Sequence, residues 1–120
     1  MIVIDYNQVA IGAFMAEVRG RTDIDVNLPL LRHMILNTIR SYNKRHRDEY
    51  GDTIIACDNR HYWRREIFPY YKAGRKTSRE SSGMDWSSIF DALNIVREEL
   101  DEVFPYPVIN IDGAEADDVI

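Results

Sequence analysis

The sequence predicts an α/β domain in which a parallel sheet is flanked by helices. Short, continuously apolar runs alternate with longer stretches whose apolar residues recur at helical spacing. Read in order, strand, helices, strand, helices, strand and helix imply parallel strands joined by right-handed crossovers. At 120 residues, 45% of them hydrophobic, the chain suffices for one domain with its own core.

Ile2-Val3-Ile4-Asp5 opens as a strand expected to be buried on both faces, since it is apolar throughout rather than alternating. Val9, Ile11, Phe14, Met15 and Val18 then trace a helix to about Arg19, with Gly20 placed to stop it. Asn27 is suited to cap a second, long helix with Pro29 in its first turn, and a stripe from Leu30 to Tyr42 runs along it before Gly51 ends it. Thr53 to Cys57 is the second strand. Residues 59–83 are basic, aromatic and poor in aliphatics, and end in a polar run expected to hold no single conformation. An amphipathic helix follows from Trp86 to Val103, broken by Pro105 and Pro107 ahead of a third strand, Val108 to Ile111. Asp112-Gly113 turns into a last helix carrying Glu115, Asp117 and Asp118. That helix has barely begun at Val119 and Ile120, as expected of a fragment of a longer protein.

Acid follows each of the three apolar runs: Asp5, Asp58 and the group Glu115-Ala116-Asp117-Asp118. Parallel strands bring their carboxyl ends to one edge, where open α/β sheets bind ligands. Acids gathered there repel one another unless a cation lies between them, and an all-oxygen set suits Mg²⁺ or Mn²⁺. Taken singly, each has an ordinary reading as a turn former or first-turn helix residue. Their recurrence at three successive strand ends favours a metal site that handles phosphate.

The formal net charge of -5 is unevenly spread. Residues 60–79 hold seven cations against one acid, Glu66, a net +6 that leaves -11 for the rest. Within this segment Trp63, Tyr70 and Tyr71 interleave with Arg64, Arg65, Lys72, Arg75 and Lys76. Aromatic faces stack on unpaired bases while cations pair with phosphates, which makes the segment a candidate single-strand surface. A merely solvated basic face would need few aromatics.

Other classes fit poorly. Cys57 is the one cysteine and reads as a packed thiol in a reducing cytoplasm, and His33, His46 and His61 lack zinc-site spacing. There is no Gly-rich phosphate loop and no GxSxG elbow. No apolar run approaches a membrane span, and no secretory signal opens the chain, so a soluble cytoplasmic protein is expected.

At these residues the sequence resembles the 5′-nuclease family: flap endonucleases, the 5′-nuclease domain of bacterial DNA polymerase I, and phage ribonuclease H. Ile4-Asp5, Asp58, the series Tyr62-Trp63-Arg64-Arg65 then Tyr71-Lys72-Ala73-Gly74-Arg75, and Glu115-Ala116-Asp117-Asp118 stand in the family's order. Arg32-His33-Met34-Ile35-Leu36-Asn37 leans toward the T-even-type phage branch. The resemblance implies a PIN-like three-layer fold with a flexible helical arch at about residues 59–83, residues 1–120 being the N-terminal part of the 5′-3′ exonuclease domain. It implies two Mg²⁺ or Mn²⁺ ions in the complete enzyme, held by Asp5, Asp58, Glu115, Asp117 and Asp118. Lys72 and Arg75 fall on arch cations that act at the scissile phosphate; Trp63, Arg64, Arg65, Tyr70, Tyr71 and Lys76 would contact the nucleic acid. The implied substrates are DNA and RNA-DNA duplexes with 5′ ends or flaps, met during replication alongside proteins such as single-strand-binding protein, in the host cytoplasm for a phage-encoded chain. Two competing readings are a PIN-like endoribonuclease and a nucleic-acid-binding fragment without catalysis.

Overall fold

The computed structural model describes residues 1–18, 27–72, 74, 75, 78, 79 and 85–120. Three strands form one parallel sheet in the order β1 (Ile2–Asp5), β2 (Thr53–Ala56), β3 (Val108–Ile109). Two helices, α1 (Tyr6–Val18) and α2 (Leu28–Tyr50), connect β1 to β2. After β2 come the short α3 (Trp63–Ile67) and the long α4 (Trp86–Val103); α5 (Ala116–Val119) follows β3. This is the α/β arrangement with a central parallel sheet that the sequence predicts.

The local signals explain most boundaries. Asn27 caps α2 by accepting the Leu30 N–H at 3.2 Å. At the other end Gly51 adopts φ 86°, a conformation favouring glycine, while its N–H donates to the Arg47 carbonyl at 2.8 Å. Asp85 caps α4 through the Ser88 N–H. The core is one cluster: Leu31, Ile35 and Ile39 of α2 and Ala10, Phe14 and Val18 of α1 meet Ile89, Leu93, Val96 and Leu100 of α4 around Ile4, Ile55 and Cys57. α1 and α2 pack on each other and on β1. A bidentate pair from Arg32 to Glu99, 2.6 and 2.8 Å, ties α2 to α4 at the surface of this core.

Four details differ from the sequence reading. First, α1 begins at Tyr6, immediately after Asp5, because Tyr6 is buried and its hydroxyl donates to the Leu93 carbonyl of α4. Its predicted stop, Arg19-Gly20, lies outside the described residues. Second, β1 is not fully buried on both faces: Ile4 alone is fully buried, the strand lies at the edge of the sheet among the described residues, and a groove of about 590 Å³ runs beside it between α1 and α2. Third, β3 stops at Ile109. The ladder bonds Ile55 N–H to Pro107 O and Cys57 N–H to Ile109 O give way to Asn59 N–H donating to Ala114 O, so residues 110–113 loop out through Gly113, at φ 82°. Fourth, α3 gives the start of the basic segment an anchored helix the composition does not suggest. The Trp63 N–H donates to the Gly113 carbonyl at 2.8 Å, and Tyr62 bridges Gly113 in parallel. Residues 73, 76, 77 and 80–84 of that segment lie outside the described residues.

Candidate active site

The parallel register places the carboxyl ends of β1, β2 and β3 at one edge, and the strand-end acids follow from it. Asp5 is the last residue of β1, and Asp58 lies just past β2. Both Asp58 oxygens are held: Oδ1 accepts the Ala116 N–H at 2.7 Å, the first residue of α5, and Oδ2 accepts Asn7 Nδ2 at 3.0 Å, from α1. Asp58 thus links the starts of two helices that follow different strands. Asp5 accepts the Gln8 N–H at 3.3 Å. Burial raises its carboxyl above the usual carboxylate range; the Gln8 N–H opposes this, and the negative charges of Asp58 and Asp117 push it further up. Asp5 therefore senses the other two acids, the interaction expected of carboxylates sharing one edge.

Glu115 caps α5 and is 2% exposed. A buried carboxylate needs compensation, and the basic segment supplies it. Lys72 Nζ lies 2.5 Å from Glu115 Oε2, and Arg64 reaches within 3.5 Å of Oε1. Oε1 nevertheless lacks a hydrogen-bond partner. Asp118 is held more completely. It takes a bidentate pair from Arg64 at 2.7 and 3.1 Å, the Trp63 indole N–H at 3.2 Å and the Glu115 N–H at 2.9 Å. These contacts, led by the Arg64 guanidinium, hold the Asp118 carboxyl below its ordinary range. Asp117 is exposed in the first turn of α5. Among the described residues no three His, Cys, Asp or Glu side chains converge closely enough to hold a metal ion; Glu115 and Asp118 face Lys72 and Arg64 instead.

The remaining candidates divide by position. The Arg64 guanidinium sits 4.5 Å over the Trp63 ring, which remains about half exposed. Lys72 Nζ rides 5.1 Å from the Tyr71 ring centre and 5.8 Å from that of Tyr62, and these two rings meet edge to face. Tyr70 is highly exposed and touches Phe68 edge-on; Arg65 points to solvent. Arg75 is exposed and lines, with Asp58, Lys72 and Arg97, a cleft of about 740 Å³ at the carboxyl edge. Lys76 lies outside the described residues. The sequence reading overlooked Asn7 and Arg97. Asn7 could have been found from its place two residues after Asp5 at a helix start; a lone arginine in an amphipathic helix carries no such signal. Cys57 is buried, and burial pushes its thiol up to about 11, which makes it an inert core residue.

The structure is thus an α/β domain whose three-stranded parallel sheet carries acids at its carboxyl edge, with cationic and aromatic residues folded against two of them. The chain belongs to the 5′-3′ exonuclease family: the N-terminal resolvase-like domain of that family matches residues 1–120. It is 36% identical over 121 residues to the ribonuclease H of Enterobacteria phage T4, an alignment covering 98% of this chain and 39% of that protein. It is also 33% identical over 89 residues to a 5′-3′ exonuclease of Streptomyces coelicolor, covering 72% of this chain and 30% of the relative. The chain thus spans well under half the length of these relatives. No helix among the described residues is long and apolar enough to cross a membrane.

Proposed function

We propose that this chain forms the acid-bearing N-terminal domain of a divalent-metal-dependent 5′-to-3′ nuclease that removes RNA primers or 5′ flaps during DNA replication. The observation that carries the reading is the meeting of two features at one sheet edge: the carboxylates Asp5, Asp58, Glu115, Asp117 and Asp118, and two cations of the basic segment, Arg64 and Lys72, folded down onto Glu115 and Asp118. Membership of the 5′-3′ exonuclease family supports it.

The donor chemistry suits Mg²⁺ or Mn²⁺, although as folded no three of the described acids converge on one point. All the donors are oxygens, as hard cations prefer, and the buried Oε1 of Glu115 has no hydrogen bond of its own. Asp5, Asp58, Glu115 and Asp117 would hold two ions, with Asp118 joining once freed from Arg64. Bound there, a divalent ion would supply Lewis acidity and an activated water for phosphodiester hydrolysis. Asn7 and the Ala116 N–H keep the Asp58 carboxylate aimed across the edge. Lys72 and Arg75 would neutralise charge developing on the phosphoryl oxygens. Trp63, Tyr70 and Tyr71 offer ring faces to unpaired bases, and Arg64, Arg65 and Lys76 offer phosphate contacts.

Incubating the chain and Mg²⁺ with a labelled 5′-flap duplex, an RNA-primed duplex and a single-stranded RNA tests the proposal. Cleavage confined to the first two, and abolished by a chelator, is the expected result. Preferential cleavage of the single-stranded RNA would favour a PIN-like endoribonuclease instead. Retained binding with no cleavage would favour the binding module, the reading to which the Lys72 and Arg64 contacts on Glu115 and Asp118 lend some weight.

A further inference from the structure

The contacts of Trp63, Arg64 and Lys72 have a consequence beyond substrate binding. Along one short stretch of chain, three side chains reach across to α5 and its cap: the Trp63 indole and the Arg64 guanidinium to Asp118, and the Lys72 ammonium to Glu115. The stretch between them is short of other ties to the body. Ile67, Phe68 and Tyr70 are well exposed, and no residue of α3 is buried. Lys72 also adopts φ 58°, the one non-glycine among the described residues with positive φ. That conformation is uncommon for a residue with a Cβ, and here it accompanies the turn that brings Nζ onto Glu115. Strain of this kind persists only while surrounding contacts hold it.

We propose that Lys72 and Arg64 form a latch on the carboxylate edge that divalent cation and closed basic segment cannot share. The oxygens the latch grips, Glu115 Oε2 and both Asp118 oxygens, are ones a hard cation would take. A lysine ammonium at 2.5 Å from Glu115 excludes an ion from that lone pair by charge and by space. Binding at one therefore weakens the other, and the coupling is reciprocal. An entering ion releases Lys72, relieves its backbone strain and frees Arg64 and Trp63; the cations so released become available to a phosphate backbone. The segment is thus held shut by the acids that would otherwise repel one another, and it opens when an ion replaces it. This inference rests on Glu115 being a metal ligand, and its test separates the two claims.

Mn²⁺ binding to the chain, counted from the loss of the free-ion electron paramagnetic resonance signal, is compared between the unaltered protein, Lys72→Met and Lys72→Arg. Trypsin cleavage after Arg64, Arg65 and Lys72 is timed with and without saturating Mn²⁺. Lys72→Met should bind Mn²⁺ about tenfold more tightly, within the usual range of site-to-site coupling. Lys72→Arg, which keeps the competing charge, should stay close to the unaltered protein. In the unaltered protein, Mn²⁺ should speed cleavage at the three positions several-fold. Bound Mn²⁺ with equal affinity in Lys72→Met and unchanged cleavage would overturn the latch while leaving the metal site standing. Absence of bound Mn²⁺ from all three proteins would overturn both. The cleavage comparison is made on the unaltered chain, so it decides the matter even if Lys72→Met folds poorly.

Discussion

Asp58→Asn should leave a folded protein that has lost cleavage, and the structure sets how much stability it can lose. Asp58 makes two hydrogen bonds, from the Ala116 N–H and from Asn7 Nδ2. Bonds to a charged acceptor contribute about 1.5–3 kcal/mol and neutral ones about 0.5–1.5 kcal/mol, so neutralising the acceptor costs roughly 1 kcal/mol per bond. Asparagine keeps one carbonyl oxygen for Ala116, and Asn7 can rotate its amide to present an oxygen to the new NH₂ group. Against this loss stands relief of the repulsion that Asp58 exerts on Asp5. The net change is about 1–2 kcal/mol, small beside the roughly 5–15 kcal/mol that holds an ordinary domain together. Urea unfolding followed by circular dichroism should show a midpoint shift of that size with an unchanged slope. On a labelled 5′ flap, cleavage should vanish while binding measured by anisotropy stays within a few-fold. Cleavage at more than a few per cent of the parent rate would refute Asp58 as a metal ligand. Parallel loss of binding and of more than about 4 kcal/mol would show instead that Asp58 is a structural clamp.

Lys72→Ala should lower the single-turnover rate by about two to three powers of ten, the effect of one lost transition-state contact, whereas Lys76→Ala should mainly weaken binding and flatten its salt dependence; equal losses in rate at saturating substrate would reduce the segment to a diffuse electrostatic surface. Tyr6→Phe removes the hydroxyl bond to the Leu93 carbonyl and should cost about 1 kcal/mol, seen as a fall of roughly 3–6 °C in Tm. Ile35→Ala, at a fully buried position of α2, should cost about 2–5 kcal/mol from lost transfer energy and the cavity left behind, and a loss under 1 kcal/mol in urea would mean that the core collapses around it. Cys57 is raised from 9.0 to about 11, so the unfolded chain loses the thiol proton first; the stability it contributes is intact below pH 9 and falls away by about 2–3 kcal/mol as pH climbs toward 11, a loss that Cys57→Ala should remove in urea melts, leaving the part that buried Tyr6, also raised by burial, adds above pH 10.

Much of this architecture was legible because its determinants are local. Asn27 and Gly51 delimit α2 by capping chemistry, and the strand-end positions of Asp5 and Asp58 follow from two apolar runs. Strand order is a different kind of information. Nothing in Ile2-Val3-Ile4 says that it lies at an edge, because continuous apolarity reflects covering helices as much as flanking strands. Likewise, the carboxylates at the sheet edge could be listed from sequence, but not that Glu115 is buried beneath Lys72 or that Asp118 is claimed by Arg64 and Trp63. Those pairings join residues more than 40 positions apart. They depend on how residues 59–72 fold back, which begins with the backbone contact between Tyr62 and Gly113. Asn7's place beside Asp5 can be read from sequence, but its bond to Asp58 cannot, for the same reason: the partner lies 51 residues away.

β1 passes into α1 with no intervening residue, Asp5 closing the strand and Tyr6 opening the helix. A loop would have insulated the carboxylate from the helix; here none exists. The Asp5 backbone is shared between the sheet, through its register with Ala56, and the packing of Tyr6 against α4. Any shift of α1 along its axis, from a cavity at Phe14 or an overfilled site at Leu93, is transmitted to the position of the carboxyl group. If Asp5 holds an ion as proposed, substitutions deep in the core will register as changes in ion affinity before they register as unfolding. A survey of activity alone would map core residues such as Phe14 and Leu93 onto the chemistry, although they never touch it.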